Sequence, residues 1–212
     1  IFLNGNPRDI SSISSRQKEY IYYVTKKLLD DTVRLWAEWH GEKAISDQRD
    51  AELIENDEIT IAGGEDGFAE LLRNPNMYQK YKTQNQVLEE IIDNGLCNIA
   101  NEVGTQKIGN PYREQDVYAV ESWYSFNSLD DYENNIISIE NSYLGGPAAT
   151  RKSETSMSAY VASKNSDLDA EITKAISDAR KAIRDIPAPF RDQVTKGKVA
   201  TIDTAMDKLA EL

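Results

Sequence analysis

One cysteine and one histidine in 212 residues leave little material for the commonest site chemistries. Cys97 alone forms no internal disulfide, so cysteine usage says little about redox compartment. It stands among Ile91, Ile92, Leu96 and Ile99, an apolar helical stretch that predicts a buried, inert thiol. With His40 alone, a metal or triad site built within the chain has at most one imidazole. His40 lies between Trp39 and Gly41 at the end of a predicted helix, where a histidine meets the C-terminal dipole favourably. That role is preferred to metal ligation, because Glu38, two residues away, diverges from it on a helix. Basic residues are also scarce: 24 Lys and Arg against 36 Asp and Glu give a net charge of −12. No basic face is available to replace phosphate counterions, which argues against nucleic acid. No apolar run reaches the length of a membrane-spanning helix. The sequence opens at Ile1 without an initiator Met or the basic and apolar regions of a leader. Either a signal segment has been removed or the chain is a fragment of something longer. Zincin, P-loop and nucleophile-elbow patterns are all missing. Gly63, Gly64 and Gly67 follow no clear strand, and Glu65 and Asp66 beside them would repel a phosphate.

What is present is helical patterning. Ser14-x-x-Gln17 reads as a capping box, followed by Ile21, Val24, Leu28, Leu35 and Trp39 on one stripe of a helix ending near Gly41. Residues 42–67 read as an acidic connection, with Glu58 to Ala62 as a brief candidate strand. Phe68 to Leu72 reads as a short helix stopped by Asn74-Pro75. A long helix is predicted from Asn76 to about Gly109, with the stripe Tyr81, Leu88, Ile91, Gly95, Ile99 and Val103. Gly95 there marks close approach of a neighbour. After Gly145-Gly146-Pro147 the composition shifts to Ser, Thr, Lys and Ala, which divides the chain into 1–146 and 147–212. Two helices or one kinked helix follow over 155–184, with Leu168, Ile172, Ile176, Ala179 and Ile183 inward. A closing helix carries Val199, Ile202, Met206 and Leu209. The expectation is an all-α fold of antiparallel helical bundles. The carboxylate pairs Asp30-Asp31, Glu89-Glu90 and Asp130-Asp131 point about 100° apart on a helix, so none is automatically an acid–base device.

The richest segment runs from Val120 to Gly146. Glu121-Ser122-Trp123-Tyr124-Ser125 mixes an acid and two hydroxyls with two large rings, poor core material and odd for plain surface. Ser128-x-x-Asp131 then resembles a capping box, and Tyr132, Ile136, Ile139 and Tyr143 form one helix face closed by Gly145. Either this is the lip of a site, or it is an aromatic-rich helix entry with no ligand. The residues alone assign no catalytic group and no metal ligand.

Several segments together resemble the imelysin-like family, also classed as peptidase M75. Glu121 to Ser125 is similar to its E-S-W-Y-S block, and Asn135-Ile136 to Leu144-Gly145 to the helix that follows. Asn101-Glu102-Val103, Lys107-Ile108, Asn110-Pro111-Tyr112, Tyr160 to Leu168 and Ile186 to Phe190 resemble further blocks. Ile1 to Arg8 is similar to the segment that follows the family's G-x-H-x-x-E motif, so the motif itself is absent from this sequence.

The resemblance implies a two-domain, all-helical architecture with a site between the domains. It implies iron or zinc held by that motif outside this chain, and a role in bacterial iron uptake from an extracytoplasmic position, periplasmic or as a lipoprotein. Partners implied are an upstream N-terminal segment of the same protein and iron-uptake membrane components. Glu121, Ser122 and Tyr124 are expected to line the site with Arg8 nearby, through hydrogen bonds, orientation of the motif histidine, or anion recognition. The rival readings are a metallopeptidase and a non-catalytic helical adaptor for a membrane transporter.

Overall fold

Ser14 opens the longest helix as its spacing requires. Its hydroxyl accepts from Gln17 N at 3.3 Å, while Gln17 Oε1 accepts from Ser14 N at 3.0 Å. Helix α1 spans Ser15–His40, and Gly41 at φ 85° ends it. The computed structural model of the chain describes residues 2–3, 6–7, 9–55, 66–74 and 81–212. The candidate strand at 58–62 and the predicted helix start at Asn76 lie outside them. Contacts group the chain into two compact units, Arg8–Ile91 and Ile92–Leu212, the second including the Phe2–Pro7 segment. The expected division after Gly146 falls inside that second unit. Phe2–Leu3 and Asn6–Pro7 form a two-residue antiparallel pairing, Phe2 opposite Pro7 and Leu3 opposite Asn6. The architecture is otherwise helical among the described residues, as expected. No described helix is long and apolar enough to cross a membrane.

In the first unit α1 is accompanied by α2 (Gln48–Glu55) and α3 (Gly67–Arg73). Gly67 adopts φ 76°, and a Cβ there would stand 2.2 Å from Gly41 N, so α3 starts against the end of α1. The predicted inward stripe does not point inward: Ile21, Val24, Leu28, Leu35 and Trp39 are all exposed. What α1 buries is Val33 and Ala37, against Leu53, Ile45 and Ile54. At about 100° per residue these lie on the opposite side of the helix from the stripe. The short neighbours bury that side, and of the stripe α3 meets Trp39, with Phe68 edge-on at 5.4 Å.

Thr83 caps α4 (Gln84–Glu89) through Oγ1, which accepts from Gln86 N at 3.3 Å. The chain then stays helical to Glu114, but Glu90–Cys97 and Glu102–Gly109 are π-helical, with α5 (Asn98–Asn101) between them and α6 (Asn110–Glu114) after. The i→i+5 pattern of a π turn shifts the phase of every later residue. Even so, Tyr81 and Val103 of the predicted stripe are buried and Ile99 packs against the core. Leu88 and Cys97 are exposed, whereas Ala100, Val103, Gly104 and Ile108 are buried. The expected buried thiol is thus corrected to an exposed one. Close helix approach occurs at Gly104, whose Cβ would meet Leu209 Cβ at 3.0 Å.

The second unit is organised on α7 (Ser128–Leu144), which buries Tyr132, Ile136, Ile139 and Tyr143 as its spacing predicts. Gly145 ends it at φ 89°. The following segment is two helices, α8 (Met157–Lys164) and α9 (Ser166–Arg184). Asn165 separates them, its Oδ1 accepting from Asp167 N and Leu168 N at 3.2 and 3.1 Å. Leu168 is exposed, one turn too early for the core, while Ile176, Ala179 and Ile183 are buried. A short α10 (Arg191–Val194) precedes α11 (Ala200–Glu211), whose Ile202, Ala205 and Leu209 complete the core. Across α7 and α9, Arg180 and Arg184 reach Glu133 at 3.0 and 2.9 Å. Arg180 and Arg151 also converge on Glu140, the latter at 3.1 Å. Burial acts to raise the Glu140 carboxyl, but the two guanidinium groups outweigh it and hold the group below its usual range.

Candidate functional site in the turn before α7

Two side-chain-bearing residues in this turn, Ser122 at φ 54° and Phe126 at φ 63°, occupy left-handed backbone that costs energy for anything but glycine. Such backbone persists only where the surroundings over-determine it, and here they do. Ser122 O accepts from Ser125 N at 3.2 Å and Phe126 N at 3.0 Å. Ser122 Oγ donates to Asp131 Oδ2, and Asn127 Nδ2 donates to Asp131 Oδ1 at 2.7 Å. Ser128 Oγ donates to Glu121 O at 2.5 Å. The expected Ser128-x-x-Asp131 capping box is therefore not formed: Asn127 is the cap residue, and Ser128 and Asp131 turn back to hold the preceding loop. From the far end of the chain Arg191 donates to Trp123 O at 2.9 Å. Its guanidinium carbon lies 4.3 Å from the Trp123 ring centroid and 3.7 Å from that of Phe126.

The π-helical segment Glu102–Gly109 supplies the other side of the site. Lys107 Nζ lies 3.1 Å from Asn135 Oδ1, 3.4 Å from Glu121 Oε2 and 3.5 Å from Glu102 Oε1. Tyr132 OH donates to Lys107 O at 3.1 Å, tying α7 to this segment. Burial first, and the charge of Glu121 second, push the Tyr132 phenol well above its ordinary value, so it stays a donor. π turns recur at functional sites because they place side chains where a regular helix cannot.

The turn presents rings outward. Tyr118 and Tyr124 are 83% and 81% exposed. Tyr118 stacks on Trp123 with centroids 5.9 Å apart, and Tyr124 meets Trp123 edge-on at 5.0 Å. Of the residues expected at the site, Glu121, Ser122 and Tyr124 come together on this one turn, while Arg8 lies outside the described residues. Sequence reasoning missed Lys107, Asp131 and Arg191. Asp131 read as a dipole-complementing acid in a first helical turn. Lys107 and Arg191 are 14 and 70 residues from Glu121 and Glu121's neighbours gave no local sign of them.

The residues do not assemble a metal set. Among the described residues no group of three or more His, Cys, Asp or Glu side chains converges. Glu121, its side chain 51% exposed, pairs with the Lys107 ammonium. His40 Nδ1–H donates to Trp36 O at 2.9 Å, with its ring stacked on Trp36 at 4.5 Å. The iron or zinc implied by resemblance therefore finds no ligand constellation in the described residues. Ser122 has Asp131 as its partner, with no histidine in contact, so it lacks the base of an activated nucleophile.

The model of the imelysin family, peptidase M75, matches residues 5–212. The chain belongs to the imelysin family. Its fold is similar to that of a Parabacteroides distasonis protein assigned provisionally as an iron-regulated protein A precursor, with TM-score 0.78 and 31% identity. That match covers 100% of this chain and 58% of the other. A Bacteroides ovatus structure described as an imelysin peptidase is 42% identical, with TM-score 0.65, covering 72% of this chain and 44% of that one. Iron-regulated protein A of Synechococcus elongatus is 31% identical over 136 residues, 61% of this chain and 36% of that protein. This imelysin chain thus spans less than two thirds of the length of each of these relatives.

Proposed function

We propose that the chain belongs to an extracytoplasmic imelysin protein acting in bacterial iron handling, and that the turn at Glu121–Ser122–Tyr124 is its ligand-facing surface. The observation that carries this is the strained, over-determined turn itself. Ser122 and Phe126 are held in left-handed backbone by Asp131, Ser128 and Arg191, and the result projects Tyr124 and Glu121 to solvent. A turn needed only to enter α7 requires no such strain. The iron connection is supported by the two relatives named as iron-regulated protein A, and an extracytoplasmic position by the precursor designation of one of them. A peptidase reading draws support from the Bacteroides ovatus relative's description. It requires metal or nucleophile machinery that the described residues do not assemble.

The test is genetic. A strain deleted for the gene is expected to grow poorly when iron is limiting and to recover with the wild-type copy, but not with Tyr124→Ala or Glu121→Gln. Full recovery with both variants, at equal protein levels, overturns the assignment of the turn. Cleavage of a protein substrate by the purified protein, abolished by Glu121→Gln, favours the peptidase instead.

A further inference from the structure

The aromatic turn carries an inner and an outer ring surface, and the inner one is already occupied by a guanidinium. Arg191 packs over Trp123 and Phe126 at 4.3 and 3.7 Å, so rings of this turn are demonstrably good cation surfaces. On the outer side Tyr118 and Tyr124 flank Trp123 and are almost fully exposed, without a cation of their own. The surrounding chain is one-sided in charge. Between Arg113 and Arg151 there is no Lys or Arg, while seven acids occur: Glu114, Asp116, Glu121, Asp130, Asp131, Glu133 and Glu140. Glu133 and Glu140 are matched by arginines and Arg191 by Asp192, but Glu121 and Glu102 share the single ammonium of Lys107, leaving negative charge in surplus near the rings. The platform is also rigid, fixed by the hydrogen bonds of Ser122, Ser128 and Arg191, so little ordering cost is left for binding.

We infer that the outer face of the turn, Tyr118 and Tyr124 with Glu121, docks an arginine-bearing extended segment of another protein. The planar guanidinium stacks on exposed rings and forks onto a carboxylate, which an ammonium does less well. This deepens the reading of the turn as a ligand-facing surface, and rests on it. The test titrates the 212-residue chain into a fluorophore-labelled peptide of alternating Gly and Arg, followed by anisotropy. Saturable binding is expected, weakened at least tenfold in the double variant Tyr118→Ala/Tyr124→Ala and lost when citrulline replaces arginine. Unchanged thermal melting of the double variant, whose residues are exposed, shows that folding is not the cause. Equal binding by the double variant means diffuse attraction to an acidic protein, and equal binding of a lysine peptide removes the guanidinium assignment. Either outcome overturns the inference, as does an absence of saturation. The iron-limited growth test is separate: its failure with peptide binding intact removes the iron role and leaves the docking surface standing.

Discussion

Helices α1 and α7 carry the same signal in sequence and opposite fates in structure. Each has apolar residues at intervals of three, four and seven, and each is closed by a glycine at positive φ. In α7 the stripe Tyr132, Ile136, Ile139, Tyr143 is buried to the last residue. In α1 the stripe Ile21, Val24, Leu28, Leu35, Trp39 is exposed, with Leu28 at 65% and Leu35 at 60%, and a different face is used for packing. Periodicity reports that a helix has an apolar face; it does not report which neighbour covers that face. The α7 stripe is met by the long helix α9, which has a stripe of its own, with α8 and α5 beside it. The α1 stripe has no comparable partner among the described residues of its unit.

The largest effect expected from this contrast is at Ile136. Ile136→Ala in the α7 stripe should cost about 3 kcal/mol, the transfer term plus a cavity that close packing cannot collapse. Leu28→Ala in the α1 stripe should stay within about 0.5 kcal/mol. Urea denaturation of the two variants reads both numbers. A Leu28→Ala cost matching that of Ile136→Ala would mean the α1 face is covered in solution, and the contrast would break.

Ion pairs allow the same comparison at intermediate size. Glu140 in the second unit is gripped by Arg151 and Arg180, themselves only 21% and 24% exposed, whereas Asp30 in the first unit, shielded to a similar degree, meets Lys26 and Arg49, whose side chains are 44% and 41% exposed. Glu140→Gln should cost about 2 kcal/mol at pH 7, as loss of charged hydrogen bonds does. The sign with pH follows from the lowered carboxyl. Its stabilising contribution is complete above the usual glutamate value of about 4.3 and disappears as pH falls through the lower folded value. The stability gap between wild type and Glu140→Gln should therefore close on acidification from pH 6 to about 3. Asp30→Asn should show a smaller gap that salt removes, because that pair is screened. A salt-insensitive Asp30 gap as large as that of Glu140 would place the first unit's pair in a drier setting than the exposure of Lys26 and Arg49 shows.

How much was legible in sequence divides along physical lines. Local rules were readable: the Ser14 box, the α7 face, the Gly41 and Gly145 ends and the helical class all depend on residues within one or two turns. What depends on distant neighbours was not. The π-helical stretches carry no breaker that distinguishes them from regular helix, and Cys97 is exposed although apolar residues surround it in sequence. At the site, Glu121, Ser122 and Tyr124 were found because acids, hydroxyls and rings sit adjacent in the chain. Asp131 was visible but assigned to the helix dipole, since nothing local shows that Ser122 would reach for it. Arg191 stands 68 residues from Trp123, beyond any pattern in one sequence.

The smallest effect expected concerns the tryptophans. The Trp123 Nε1–H is buried with no acceptor among the described residues, a donor that already bears its desolvation cost. Trp123→Phe removes that unpaired donor while keeping a ring for Arg191 to stack on, so gain and lost area offset to within about 1 kcal/mol. Trp123→Ala removes the ring as well and should cost about 3 kcal/mol. Trp36 in the first unit is 44% exposed, with its ring stacked on that of His40, so Trp36→Ala should cost less than Trp123→Ala, about 1 kcal/mol. Thermal and urea unfolding of the three variants separate the cases. If Trp123→Phe costs as much as Trp123→Ala, the indole N–H has a partner, such as an ordered water, and the ring stack is not what holds the turn. If Trp36→Ala joins them, the exposed face of α1 is carrying a load that its unit does not account for, and the two helices are more alike than their burial makes them.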